Sequence, residues 1–121
     1  VDDMAAEKNF ENRLKKYLEE KRCWFIKYWA GAAFTKTGIP DLLVCCNGYF
    51  VAIEVKAPNG KASELQKYNI RKIIESGGFG MILYPNQFNE FKKVIEHLQN
   101  SKPNAAMQVV DEINSKSLGR G

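Results

Sequence analysis

The sequence has little of what staples small domains together. Its 121 residues include three cysteines (Cys23, Cys45 and Cys46) and one histidine, His97. An odd cysteine count with no C-x-x-C spacing argues against a disulfide framework. A structural zinc centre needs four nitrogen or sulfur donors, and neither the cysteines nor His97 are spaced to supply them. His97 is expected to decorate a helix. No apolar run approaches the ~20 residues of a membrane span. Residues 1–10 lack the apolar centre of a secretory signal. No membrane partner is therefore expected, and a cytoplasmic location is (the host cytoplasm, if a phage encodes the chain). Internal repeats and low-complexity stretches are absent too.

What is present is ordinary for one globular domain: 45% hydrophobic and 26% charged residues. The net charge of +4 and pI near 9.0 permit a polyanionic partner without establishing one. Residues 5–22 predict a helix, with Phe10, Leu14, Tyr17 and Leu18 at helical spacing. The aromatic run 23–29 predicts a strand, and 30–40 a loop ended by Ile39-Pro40. Two strands, 42–46 and 49–56, flank Asn47-Gly48, a strong hairpin signal. A helix over 63–76, capped by Ser63 and stopped by Gly77-Gly78, precedes a strand at 79–84 and a helix at 87–99. The order α-β-β-β-α-β-α implies an α/β fold with a mixed sheet of about four strands flanked by helices. One domain over 5–99 is expected, followed by a polar tail at 100–121, partly helical at best.

The hairpin fixes a register. With a two-residue turn, Cys46 faces Tyr49, Val44 faces Val51, and Asp41 faces Glu54. Opposed residues point to one side with Cβ atoms roughly 4.5–5.5 Å apart. Lys56, two residues on, projects to that side as well. Two carboxylates so close repel, which serves no structural purpose; a divalent cation turns the repulsion into binding. Oxygen-only donors suit Mg²⁺ or Mn²⁺. The lysine can orient or deprotonate a water, or stabilise charge developing on a phosphate. The bland reading is a charged strand end that Lys56 merely neutralises, and a one-residue bulge would undo the register.

Taken together, Gly38-Ile39-Pro40-Asp41, then Gly48-Tyr49-Phe50-Val51-Ala52-Ile53-Glu54-Val55-Lys56, then Gly60-Lys61 and Ser63-Glu64-Leu65-Gln66, resemble the VRR-NUC nuclease family of the PD-(D/E)xK superfamily, in its stand-alone phage or bacterial form. The resemblance spans roughly residues 7–97. It implies a restriction-endonuclease-like core and metal-dependent hydrolysis of DNA, with branched junctions or flaps as the substrate class. It implies Asp41 and Glu54 as metal carboxylates, the Val55 carbonyl as a further ligand, and Lys56 as the catalytic lysine. The family's first-helix glutamate maps to Glu11, with Glu7 as runner-up. A homodimer is also plausible on this resemblance.

Several of these residues have a second reading. Glu11 lies beside the Phe10–Leu14–Leu18 stripe, so it either needs a buried partner or reaches water at the stripe's edge. Glu7 in an early helical turn is favoured by the helix dipole alone. Ser63 and Gln66 form an S-x-x-Q capping box, while the resemblance puts Gln66 at the active-site rim. Lys36 and Lys61, in loops flanking the carboxylates, are the best candidates for DNA phosphate contacts. The alternatives to a nuclease are a non-catalytic nucleic-acid-binding module that retains the fold, or an interaction protein whose charged hairpin end is incidental.

Overall fold

A computed structural model describes residues 2–29 and 36–119, so part of the expected 30–40 loop, residues 30–35, lies outside the described residues. Helix α1 (Asp3–Glu20) begins where the Asp2 carboxylate accepts the Ala5 N–H at 2.8 Å. It ends with Arg22 in the left-handed region (φ 60°), the Arg22 and Cys23 N–H groups closing onto the Glu19 and Leu18 carbonyls. Strand β1 (Trp24–Lys27) follows. Strands β2 (Leu42–Cys46) and β3 (Tyr49–Val55) form the hairpin, with Asn47 and Gly48 both at positive φ (51° and 83°), as a tight two-residue turn requires. Cys46 pairs with Tyr49, Val44 with Val51 and Leu42 with Ile53, the register read from the sequence.

Helix α2 (Glu64–Glu75) carries the chain back so that β4 (Phe79–Leu83) pairs parallel to β3. The sheet order is β1-β2-β3-β4, with the first three strands antiparallel. A single 3-10 turn (Pro85–Gln87), helix α3 (Phe88–Gln99) and helix α4 (Pro103–Leu118) complete the chain. His97 sits half-buried on α3. Among the described residues no helix is long and apolar enough to cross a membrane.

Alternation sorts the strands into two faces. Phe25, Leu42, Val44, Cys46, Val51, Ile53 and Val55 face the main core with Phe10, Leu14, Phe91 and Ile95 from α1 and α3. Trp24, Cys45 and Phe50 form one row on the other face, and Ile26, Leu43 and Ala52 the next. Helix α2 covers the β3–β4 half of that face, where a Cβ on Gly80 would lie 3.2 Å from both the Ile70 carbonyl and Ile73. The β1–β2 half stays open, with Trp24 66% and Ile26 43% exposed.

The segment expected to be a tail is instead a 16-residue helix packed on β4 and α3. Pro103 opens it, and Ala106, Val110 and Ile113 are buried at helical spacing. The stripe is legible only faintly because its next member is polar. Asn114 is 4% exposed and works as a surrogate strand: its Nδ2 donates to the Gly80 carbonyl at 2.9 Å and its Oδ1 accepts the Ile82 N–H at 3.0 Å. The free edge of β4 is thereby paired and covered.

Candidate active site

The site forms where the two layers meet at the end of the sheet. Asp41 precedes β2 and is fixed from both neighbours. Its carbonyl accepts the Tyr28 N–H beyond β1 at 2.8 Å, and its Oδ2 accepts the Val55 N–H of β3 at 2.8 Å. The N–H and C=O of one strand residue leave toward the same edge, so the Val55 carbonyl is turned to the Asp41 side. The loop before Asp41 is seated by Gly38 (φ 77°), whose carbonyl accepts Asn69 Nδ2 at 2.9 Å. A Cβ there would fall 2.5 Å from Leu65 Cγ, so only glycine fits.

Glu54 and Lys56 project from β3 and its extension on the α2 side. Glu54 is 3% exposed. Its Oε2 accepts Gln66 Nε2 at 3.1 Å and lies 3.5 Å from Lys56 Nζ, while its Oε1 has no hydrogen-bond partner. Burial, followed by the charge of Asp41, pushes this carboxyl up to about 8, against the pull of Lys56. A buried carboxylate oxygen with no donor, beside a second carboxylate, is a costly arrangement for structure alone.

Gln66 forms the capping box read from the sequence and also touches Glu54. Its Oε1 accepts the Ser63 N–H at 2.9 Å and its N–H donates to Ser63 Oγ at 3.1 Å, completing the capping box of α2. That geometry turns the amide nitrogen outward, onto Glu54.

Glu11 is also 3% exposed, and each of its oxygens faces an ammonium, although Oε2, like Glu54 Oε1, accepts no hydrogen bond. Lys27 Nζ lies 2.6 Å from Oε1 and Lys15 Nζ 3.2 Å from Oε2. Burial alone would raise its pKa; Lys27 and Lys15 outweigh burial and hold it below the usual carboxylate range. The reading of a stripe residue in need of a partner is the one the structure realises. Lys27 also reaches Asp41 Oδ1 at 3.2 Å. Burial opposes its charge, yet Glu11 and Asp41 together raise its pKa. Glu11 is therefore joined to Asp41 through an ammonium rather than directly. Sequence reasoning passed over Lys27; its only signal was a lysine in an aromatic strand on the core-facing register. Glu7, one turn earlier and half-buried, has its pKa raised by burial and by the Asp41 charge, with Lys56 and Lys27 opposing.

Of the two loop lysines, both are exposed. Lys36 has its carbonyl bound by Tyr28 Oη at 3.1 Å, and Lys61 follows the Gly60 turn that closes on Ala57. Among the described residues no three His, Cys, Asp or Glu side chains converge into a cation cage. Asp41 and Glu54, with the Val55 carbonyl, are the oxygen donors on hand.

A model of the archaeal Holliday junction resolvase (Hjc) family matches residues 4–111. The chain belongs to that family. It is a family of PD-(D/E)xK-type nucleases, and the four-stranded mixed sheet flanked by helices is its restriction-endonuclease-like fold. The motifs that resemble VRR-NUC point to the same superfamily; the family matched within it is Hjc. No curated protein and no solved structure gives a significant match.

Proposed function

We propose that this protein is a divalent-metal-dependent endonuclease that cuts branched DNA, a four-way junction first among its substrates. The observation that carries the reading is the Asp41–Glu54 pair, with its donor-less buried Glu54 Oε1. The oxygens fit a hard cation: Asp41, Glu54 and the Val55 carbonyl would hold Mg²⁺ or Mn²⁺. Such a cation, when bound, supplies Lewis-acid neutralisation of the phosphate and a water of lowered pKa. The chain's own groups then divide the remaining work. Gln66 and the Val55 N–H hold Glu54 and Asp41 in their rotamers. Lys56, 12% exposed and 3.5 Å from Glu54, stabilises charge developing on the phosphate and orients the attacking water. Lys27 keeps a compensating charge on Asp41. Of the two helix carboxylates, Glu7 suits the rim facing the phosphate, because its acidity answers to Asp41 and Lys56. Glu11 serves as the anchor of Lys27.

The substrate class follows from the family, and it favours a two-fold assembly, since a four-way junction offers two equivalent bonds. A homodimer suits the open sheet face of Trp24, Ile26 and Phe50, which runs into an apolar groove of about 440 Å³ lined by Ile39, Leu43 and Ile73.

The test is cleavage of a four-way junction, a flap and a linear duplex with Mg²⁺, Mn²⁺ or EDTA, by the wild type and by Asp41→Asn. Metal-dependent cutting of the junction, absent in Asp41→Asn, is expected. Undiminished cutting by Asp41→Asn would remove the site. Metal-independent DNA binding with no cutting would make this a non-catalytic module.

A further inference from the structure

A groove of about 870 Å³ opens beside the β4 edge, next to the catalytic end. Its walls are the Pro58–Ala62 turn, the Tyr84–Gln87 connector and the last turns of α4. These walls are tied together. Tyr84 Oη donates to the Gly60 carbonyl at 2.8 Å, and Gln87 Nε2 donates to the Ile113 carbonyl at 3.0 Å. The groove adjoins the site: a Cβ on Gly60 would lie 3.4 Å from Lys56 Cδ, so the lysine stem packs against the turn that forms one wall. Lys61, Lys67 and Lys116 line it from three different elements, against the single carboxylate of Glu112. Lys61 and Lys116 are exposed, and among the described residues Lys67 is paired only with the solvent-facing Glu64, at 3.0 Å. The α4 wall, including Ser115, Lys116 and Ser117, lies beyond residues 4–111, the stretch that matches the family model.

We propose that this groove carries one phosphate backbone of the DNA arm that leaves the cleavage site, with Lys67 and Lys116 as its outer cations. The inference rests on the nuclease reading above and extends it to a segment outside the family match. Three lysines lining one concave groove give a track for a polyanion. A groove of about 870 Å³ is too small for a whole duplex and has room for a single backbone. It also gives α4 a second task besides sealing β4, since one helix covers the sheet edge and builds the far bank of the track.

The experiment compares the full chain with Lys67→Ala/Lys116→Ala, and with Lys93→Ala/Lys102→Ala as an equal-charge control on α3 and its connector. Affinity for an uncleaved four-way junction in EDTA is measured against NaCl concentration, beside Mn²⁺ affinity by calorimetry and thermal melting. Each lost phosphate contact lowers the salt slope by about 0.9. The groove variant is expected to lose close to two such contacts and roughly tenfold in affinity at ~0.1 M salt. Its Mn²⁺ affinity and melting temperature should hold, and Lys67→Arg/Lys116→Arg should restore binding. The control should move less than about twofold by the same measure. Equal losses in groove and control variants would reduce the effect to general charge and overturn the proposal. So would an unchanged slope in the groove variant of a protein that binds and cuts the junction. A wild type that binds no DNA sinks both this proposal and the nuclease reading. A wild type that cuts nothing, yet shows the groove-dependent slope, sinks the nuclease reading alone.

Discussion

Glu11 on α1 and Glu54 on β3 are buried to the same degree, 3% exposed, and their surroundings are opposite. Glu11 has an ammonium on each oxygen and is held below the usual carboxylate range. Glu54 has one oxygen bonded and one without a donor, a second carboxylate nearby, and a pKa of about 8. Burial alone does not distinguish these two carboxylates, and neither does a missing donor, since Glu11 Oε2 lacks one as well. The sign of the neighbouring charge does. A carboxylate faced by ammonium groups is held ionised, whereas one faced by a second carboxylate carries an excess of negative charge that a cation would relieve. Lys27 connects the two regimes by touching Glu11 and Asp41 at once.

The largest effect expected from breaking this contrast is on catalysis. Glu54→Gln keeps the shape and the contact to Gln66 but removes the charge. Junction cleavage should fall by more than ~10³-fold, a loss of about 4 kcal/mol in transition-state stabilisation. Mn²⁺ affinity measured by calorimetry should fall with it. Retained turnover would mean that the donor-less oxygen is a packing accident.

Next comes Glu11. Glu11→Gln leaves Lys27 leaning on Asp41 alone and Lys15 unpaired. Removing one partner from a buried ion pair costs on the order of 3 kcal/mol, or roughly 10 °C in melting temperature for a domain of this size. Glu54→Gln should cost no stability near pH 8, because it removes an unmet charge. A stable Glu11→Gln variant that has lost Mn²⁺ binding would reassign Glu11 to the metal and break the comparison.

The two groups should also answer pH in opposite senses. Glu54 has a folded pKa above its ordinary value of 4.5, so the folded state holds the proton more tightly than the unfolded state. Its contribution is complete below about pH 4.5 and is lost as pH rises toward 8. Glu11 has a lowered folded pKa, so its contribution is present above 4.5 and lost as pH falls below it. Melting temperature of the metal-free protein should therefore fall between pH 5 and 8. Glu7, also raised, acts in the same direction. The part of the slope that vanishes in Glu54→Gln belongs to Glu54. Added Mn²⁺ should flatten the slope by taking up the ionised form. A melting temperature that rises through this window would contradict the surroundings described for Glu54.

How much of this was legible in the sequence depended on how local the determining physics is. A two-residue turn leaves no freedom in the hairpin, so Asn47-Gly48 alone brought Asp41 opposite Glu54. The Ser63–Gln66 box is likewise contained in four residues. The Glu11–Lys27 pair joins different elements, and nothing in the spacing of α1 and β1 names one lysine among many. The last helix was missed for a related reason. Asn114 looks like a surface residue until the edge of β4 is placed against it. Contacts that need the assembled tertiary structure left only a faint trace in periodicity.

The smallest and sharpest effect concerns Gln66, which touches Glu54 with one end of its amide and Ser63 with the other. Gln66→Glu preserves the acceptor that the capping box uses and replaces the donor facing Glu54 with a second negative charge. An S-x-x-E box caps as well as S-x-x-Q, so melting should shift by less than the equivalent of ~0.5 kcal/mol. The carboxylate at that distance should instead hold Glu54 protonated to still higher pH. Turnover at pH 7 should fall about tenfold, recovering in part as the pH is raised. Gln66→Ala should show the complementary pattern, with a stability loss of about 1 kcal/mol from the broken cap beside a similar loss of turnover. If Gln66→Glu leaves the pH profile of cleavage where it was, the glutamine belongs to the helix alone. Glu54 would then be positioned by Lys56 without it.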